Sequence, residues 1–160
     1  NHIAVYELLA SKSKPEQVRA LAQELQKAKE RKELDLYNAI AAVDLAAVKK
    51  AVETGSRLHH FTYLKGKIGL SPLQHAYGKD EKHKQIMEYL ISRGADVSVL
   101  DGSILAEAVD ADVEMVRWLL AHGARDRNGA ALAELQALIN ETNDAAKKQS
   151  YQQIIELLKK

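Results

Sequence analysis

Gly69-Leu70-Ser71-Pro72-Leu73-Gln74-His75-Ala76, taken with Ile86-Met87-Glu88-Tyr89-Leu90-Ile91-Ser92-Arg93-Gly94-Ala95-Asp96, decides the reading of the chain. Gly69 marks a turn. Ser71 is a side-chain N-cap, and Pro72 takes the first helical position, where its missing N–H costs nothing. A short apolar helix follows, then a second, and Gly94 stands where a left-handed residue ends that second helix. The same plan recurs on both sides. Leu36, Leu73, Leu105 and Leu132 correspond in the first helix of each unit, and Ala39, Ala76 and Ala108 follow three residues later. In the second helix Val48, Met87, Val116 and Ile155 correspond, as do Ala51, Leu90, Leu119 and Leu158. Gly55, Gly94 and Gly123 close the first three units. Leucine-to-leucine steps of 37, 32 and 27 residues bracket one helix pair per unit. Such a pair cannot bury both faces alone, so each unit needs neighbours to keep water from its Leu and Ala side chains.

This pattern resembles the ankyrin repeat, whose family sequence runs G-x-T-P-L-H…A, a second helix, then L-L-x-x-G-A-D, with a period of about 33 residues. Ser71 stands for the family Thr and Gln74 for the family His, which alters the helix-opening hydrogen bond without removing it. The resemblance covers roughly residues 34–160. It implies an all-α solenoid of about four repeats and a module that binds another protein without chemistry or cofactor of its own. It does not identify the partner. Small Ala39, Ala76 and Ala108 suit close contact between stacked first helices, where larger groups would overpack.

Bulk composition narrows the alternatives. Apolar residues make up 46% and aromatics only 5%, because Ala and Leu dominate, which favours helices over sheets. The formal charge of +1 offers no overall attraction to nucleic acid or anionic membrane. No apolar run reaches the roughly 18 residues of a membrane span. The absence of Cys removes disulfides, thiolate metal sites and cysteine nucleophiles. The compartment stays open: cytoplasmic, or exported if a leader was removed before Asn1. The expected partner is a protein, with no nucleic acid and no membrane, and the chain alone is expected to be monomeric.

Ahead of the repeats, Ile3–Ala10 reads as a short helix with Val5, Leu8 and Leu9 on one face. After a break at Ser11–Pro15 a longer helix carries Val18, Leu21, Leu25 and Ala28 as one stripe. The expectation is an N-terminal helical hairpin over residues 1–33, either a cap or a degenerate extra repeat, before a repeat domain at 34–160. Lys27–Glu33 is read as a solvated, salt-bridged helix end outside any packed stripe.

The segment 56–68 is the expected principal contact. It holds the only Phe, a Tyr, two His and basic residues, and the alternation of Leu58, His60, Thr62 and Leu64 with His59, Phe61 and Tyr63 fits a β-hairpin turning near Lys65-Gly66. Loops on a rigid scaffold carry function, and aromatic and basic types are enriched at interface centres. Packing of Phe61 or Tyr63 over the neighbouring helices is the competing account. From this finger the candidate partner-binding residues are Arg57, His59, His60, Phe61, Tyr63, Lys65 and Lys67. The resemblance adds a concave inner-helix face, with Ala41, Ala42, Gly78, Lys79, Asp110 and Ala111 at its variable positions and His75, Glu107 and Glu134 as a column, one per repeat. By residue count, Lys49–Arg93 holds nine Lys/Arg against four Asp/Glu, whereas Asp96–Asp144 holds three against ten. That polarity is suited to steering a partner and setting its register.

Other constellations are weaker. His59, His60, His75 and His83 lack zinc-ligand spacing, so no metal is expected. Trp118 falls in a second helix at positions aligned with Lys50, Tyr89 and Leu157, where partial burial is the simpler reading. Asp110-Ala111-Asp112 is placed to cap the next helix. With no phosphate loop, nucleophile triad or zinc motif, no catalytic residue is assigned. Within the binding reading stand an inhibitor or immunity-type protein that blocks an enzyme, and an adaptor or effector domain of a longer chain; a nucleic-acid or metal binder is the rival class.

Overall fold

The computed structural model describes residues 15–59, 63–64, 67–110 and 113–159, and only the backbone of 63–64, 67–68 and 99–103. Within them lie eight helices and one two-stranded hairpin, an all-α repeat stack. Helix α1 spans Pro15–Ala41 and α2 spans Leu45–Glu53; strands β1 (Tyr63–Leu64) and β2 (Lys67–Ile68) form the hairpin. Then come α3 (Pro72–His75), α4 (Glu81–Ser92), α5 (Val99–Ala108), α6 (Val113–Ala121), α7 (Ala130–Glu141) and α8 (Ala145–Leu158). First helices are α1, α3, α5 and α7, and second helices are α2, α4, α6 and α8. Contacts run along the two rows (α1 on α3, α5 on α7, α2 on α4, α6 on α8) and across each pair.

One continuous core threads the stack. Leu36, Leu73 and Leu105 from the first helices join Val48, Met87 and Val116 from the second, all at 0–1% exposure. Ala39, Ala76 and Ala108 are buried among them. At the last unit the burial turns by one residue. Ala131, Leu135, Tyr151 and Ile154 are buried, while the aligned Leu132, Ile155 and Leu158 are only half-buried. Among the described residues this helix pair packs on unit three, and the face turned toward that unit is the one that dries.

Second helices α2, α4 and α6 end alike. Gly55, Gly94 and Gly123 have φ near +95°. Each donates its N–H three residues back, and the following N–H reaches five back, as in Ala95 to the Leu90 carbonyl and Gly94 to that of Ile91. That is a Schellman motif, and glycine meets its left-handed position without strain. Helix α1 closes with the same pair of bonds, from Val43 to Ile40 and from Asp44 to Ala39, but here Val43 takes φ +52°. A β-branched residue in that region is strained.

Two expectations need correction. The stretch Lys27–Glu33 is not wholly solvated: Glu33 is buried at 5% exposure, and α1 runs unbroken through it, so the division expected between 33 and 34 falls inside a helix. In the last helix pair α7 continues to Glu141, and Thr142–Asp144 link it to α8. The alternation in the finger does not begin at Leu58, since Leu58 and His59 form a turn. The paired strands flank Lys65-Gly66 as expected, with Tyr63 opposite Ile68 and Leu64 opposite Lys67. The helix at Ile3–Ala10 lies outside the described residues. In α1, Leu21 and Leu25 of the anticipated stripe remain more than 40% exposed.

Candidate functional site

Inner helices α3, α5 and α7 each present an open polar side chain beside a dry core. In α3 the buried Leu73 and Ala76 flank an exposed His75; in α5 Leu105 and Ala108 flank an exposed Glu107; in α7 Glu134 stands exposed before the buried Leu135. The column is held from beneath. Ser71 accepts from the Gln74 N–H at 3.2 Å, and the Gln74 side-chain oxygen accepts from the Ser71 N–H at 3.0 Å, a reciprocal capping box. The same Gln74 side chain hydrogen-bonds Glu107, which ties the start of α3 to the next inner helix. Burial raises the Glu107 carboxyl above its ordinary range, and the Gln74 bond opposes that only in part. His75 meets Tyr37 edge-on with centroids 5.4 Å apart, while the Tyr37 hydroxyl donates to the Leu70 carbonyl at 2.7 Å.

At the base of the finger, Arg57 is anchored. Its backbone N–H and its Nε both donate to the Glu33 carboxylate, the latter at 2.8 Å. Lys32 Nζ reaches the Thr54 carbonyl, and Ser56 Oγ the Lys32 carbonyl. The long helix thus clamps the turn from which the finger departs. His59 is exposed. His60, Phe61 and Lys65 lie outside the described residues, and Tyr63 and Lys67 are described only as strand backbone.

Lys79 is exposed, but the neighbouring Gly78 is no freely variable position: a Cβ there would sit 2.3 Å from the His83 ring. That ring is held by Asp80, whose carboxylate takes Nδ1 of His83 at 2.7 Å and caps α4 through the Lys82 and His83 N–H groups. The His83 N–H is the main cause holding the Asp80 carboxyl below its ordinary range. Ala111 and Asp112 lie outside the described residues. Asp110 caps no described helix; it accepts the Tyr151 hydroxyl at 2.7 Å. That hydrogen bond, followed by burial, raises the Tyr151 phenol. Trp118 is half-buried against the core and stacks at 4.0 Å on His122, whose ring also bonds the Trp118 carbonyl.

The ankyrin-repeat family model matches residues 68–102, from the second strand of the finger through α4 and into α5. Those residues carry an ankyrin repeat. No curated protein and no solved structure matches it significantly. Ankyrin repeats are typically protein–protein interaction modules without chemistry of their own. Among the described residues, no helix is long and apolar enough to cross a membrane. Sequence reasoning missed Glu33 and Tyr151 as organising residues; it placed Gln74 in the helix-opening hydrogen bond but not in its bond to Glu107. Tyr151 was legible: with Ile154, Ile155 and Leu158 it continues an i, i+3, i+4, i+7 stripe. Glu33 carried no such signal, because a charge inside a run of charges looks solvated.

Proposed function

We propose that the protein grips another protein between the 56–68 finger and the inner-helix face, with His59, His60, Phe61, Tyr63, Lys65 and Lys67 at the finger and His75, Lys79, Glu107 and Glu134 on the face. The supporting observation is the set of exposed polar side chains at one register position in α3, α5 and α7, beside Leu73, Ala76, Leu105 and Ala108 at 0–1% exposure. Such a row costs little to order on binding, since its backbone is already rigid. Glu107 adds direction. A carboxylate that has lost part of its hydration gains from a cationic group of the partner.

Affinity capture from the native host tests this with three baits: wild type, a His60/Phe61/Tyr63 triple-alanine variant, and His75→Ala/Glu107→Gln. Both variants are expected to keep the wild-type melting temperature within a few degrees and to lose the captured partner. Equal recovery by all three baits would remove the finger and the face together. If the captured partner is an enzyme, its rate with and without the chain decides between an inhibitor or immunity-type role and an adaptor role.

A further inference from the structure

A cleft of about 430 Å³ opens between the α5–α6 junction and α8. Relative to the aligned leucines, α7 continues to Glu141 whereas α5 stops at Ala108, and the start of α8 lines the cleft together with Val109, Asp110, Val113 and Glu114. The floor is apolar: Val109 and Ile154 are at 1% exposure, and Val113 and Ala146 complete it. Asp110 and Glu114 stand on one wall, and Lys147, Ser150 and Tyr151 on the other. Asp144, which caps α8, is close enough to act on the Tyr151 phenol.

We propose that this cleft is a socket for an arginine side chain of the bound protein. The proposal rests on reading the chain as a protein-binding module, but adds a contact away from finger and inner face. The apolar floor suits the three-carbon stem of arginine, and two carboxylates at the mouth suit its head. Tyr151, buried at 5% exposure, fixes the first carboxylate by donating to Oδ1. Among the described residues the second oxygen of Asp110 has no protein partner. Glu114 is tied only to the exposed Arg117, one turn along its own helix at 3.5 Å. Lys147 makes no ion pair with either carboxylate among the described residues, and with two carboxylates to one ammonium the lining keeps a net negative charge. Arginine fits better than lysine: a planar fork of donors serves two separate carboxylates, whereas an ammonium is a more strongly hydrated point charge. Tyr151 acts as a positioning residue.

The test is a titration of the ¹⁵N-labelled full chain at low salt with N-acetyl-arginine amide, N-acetyl-lysine amide and the neutral isostere N-acetyl-citrulline amide. The amide signals of Glu114, Lys147 and Ser150 are followed. Saturable shifts are expected with the arginine probe, weaker binding with lysine, and none with citrulline. Asp110→Asn is expected to weaken arginine binding about tenfold, near 1.4 kcal/mol. Tyr151→Phe, which keeps the buried ring, should weaken it by a smaller factor; should that variant melt early, Glu114→Gln on the exposed wall replaces it, with the same expectation. Equal shifts with arginine and citrulline, no shifts at all, or full binding by Asp110→Asn would each overturn the socket. A chain that ignores the arginine probe yet still captures its partner loses only the socket. One that fails capture but binds arginine keeps the socket and loses the finger-and-face reading.

Discussion

Glu33 is a carboxylate withdrawn from water whose cationic partner is still in it: Arg57 is 62% exposed at the side chain, Glu33 only 7%. The two ends of this pair should therefore respond unequally to truncation. Glu33→Ala leaves the half-buried Arg57 N–H without its acceptor and removes the clamp on the finger base, for an expected loss of about 1–3 kcal/mol. Arg57→Ala keeps the backbone N–H on the carboxylate and gives up an ion pair screened by solvent, for about 1 kcal/mol or less. Urea denaturation of both variants checks the order, and a larger loss from Arg57→Ala would contradict it. Glu107 makes a second residue-level test, in pH. Its carboxyl is raised in the folded chain, so between the ordinary and the raised value the native state holds more protons than the unfolded one. Stability must then fall as pH climbs through that window. Glu107→Gln removes the fall. Its melting temperature should exceed wild type at pH 7 and converge with it in acid below both values; a variant that melts lower at pH 7 would refute the sign.

At the scale of the element, the chain uses two local devices repeatedly, and these were the most legible part of the sequence. Ser71-Pro72 and the three terminal glycines act where a helix must start or stop, and all four sites behave as their chemistry dictates. Helix α3 has only four residues, so it depends heavily on its cap. Ser71→Ala should cost about 1 kcal/mol. It should also free Gln74 and loosen its bond to Glu107, read as faster amide exchange at Gln74 and at the α5 end; unchanged exchange would separate the cap from the column. What stayed hidden was hidden for a physical reason. Val43 occupies the glycine seat at the end of α1, so a reading keyed to glycine passes over that stop. Nothing in Lys27–Glu33 breaks a helix, so continuity from Pro15 to Ala41 was compatible with the residues but not demanded by them. The column of His75, Glu107 and Glu134 could be inferred from repeat register, because helical period fixes which positions face out. The Asp110–Tyr151 contact could not, since it spans 41 residues.

For the molecule as a whole, the stack makes stability a property of neighbours. A unit with a repeat on each side dries both faces of its helix pair, and a unit at the end dries one. The aligned positions Leu90 and Leu158 carry this difference on one residue type: Leu90 is fully buried in α4, while Leu158 at the end of α8 is half-buried. Truncation at Leu90 removes a fully enclosed side chain and leaves a cavity, for an expected loss of about 2–5 kcal/mol. Truncation at Leu158 removes contacts on one side and opens to water, so about 1 kcal/mol or less should be lost, the scale of a partly buried aliphatic group. If stability instead belonged to one indivisible globule, the two variants would destabilise in proportion to their local packing but unfold with the same single transition. In a linear stack Leu158→Ala should let the last helix pair fray first. Hydrogen exchange would then show α7 and α8 opening below the global free energy while α4 remains protected. Uniform exchange across all units in that variant would mean that the repeats are not independent layers, and that the finger, the inner face and the α8 cleft do not rest on separable supports.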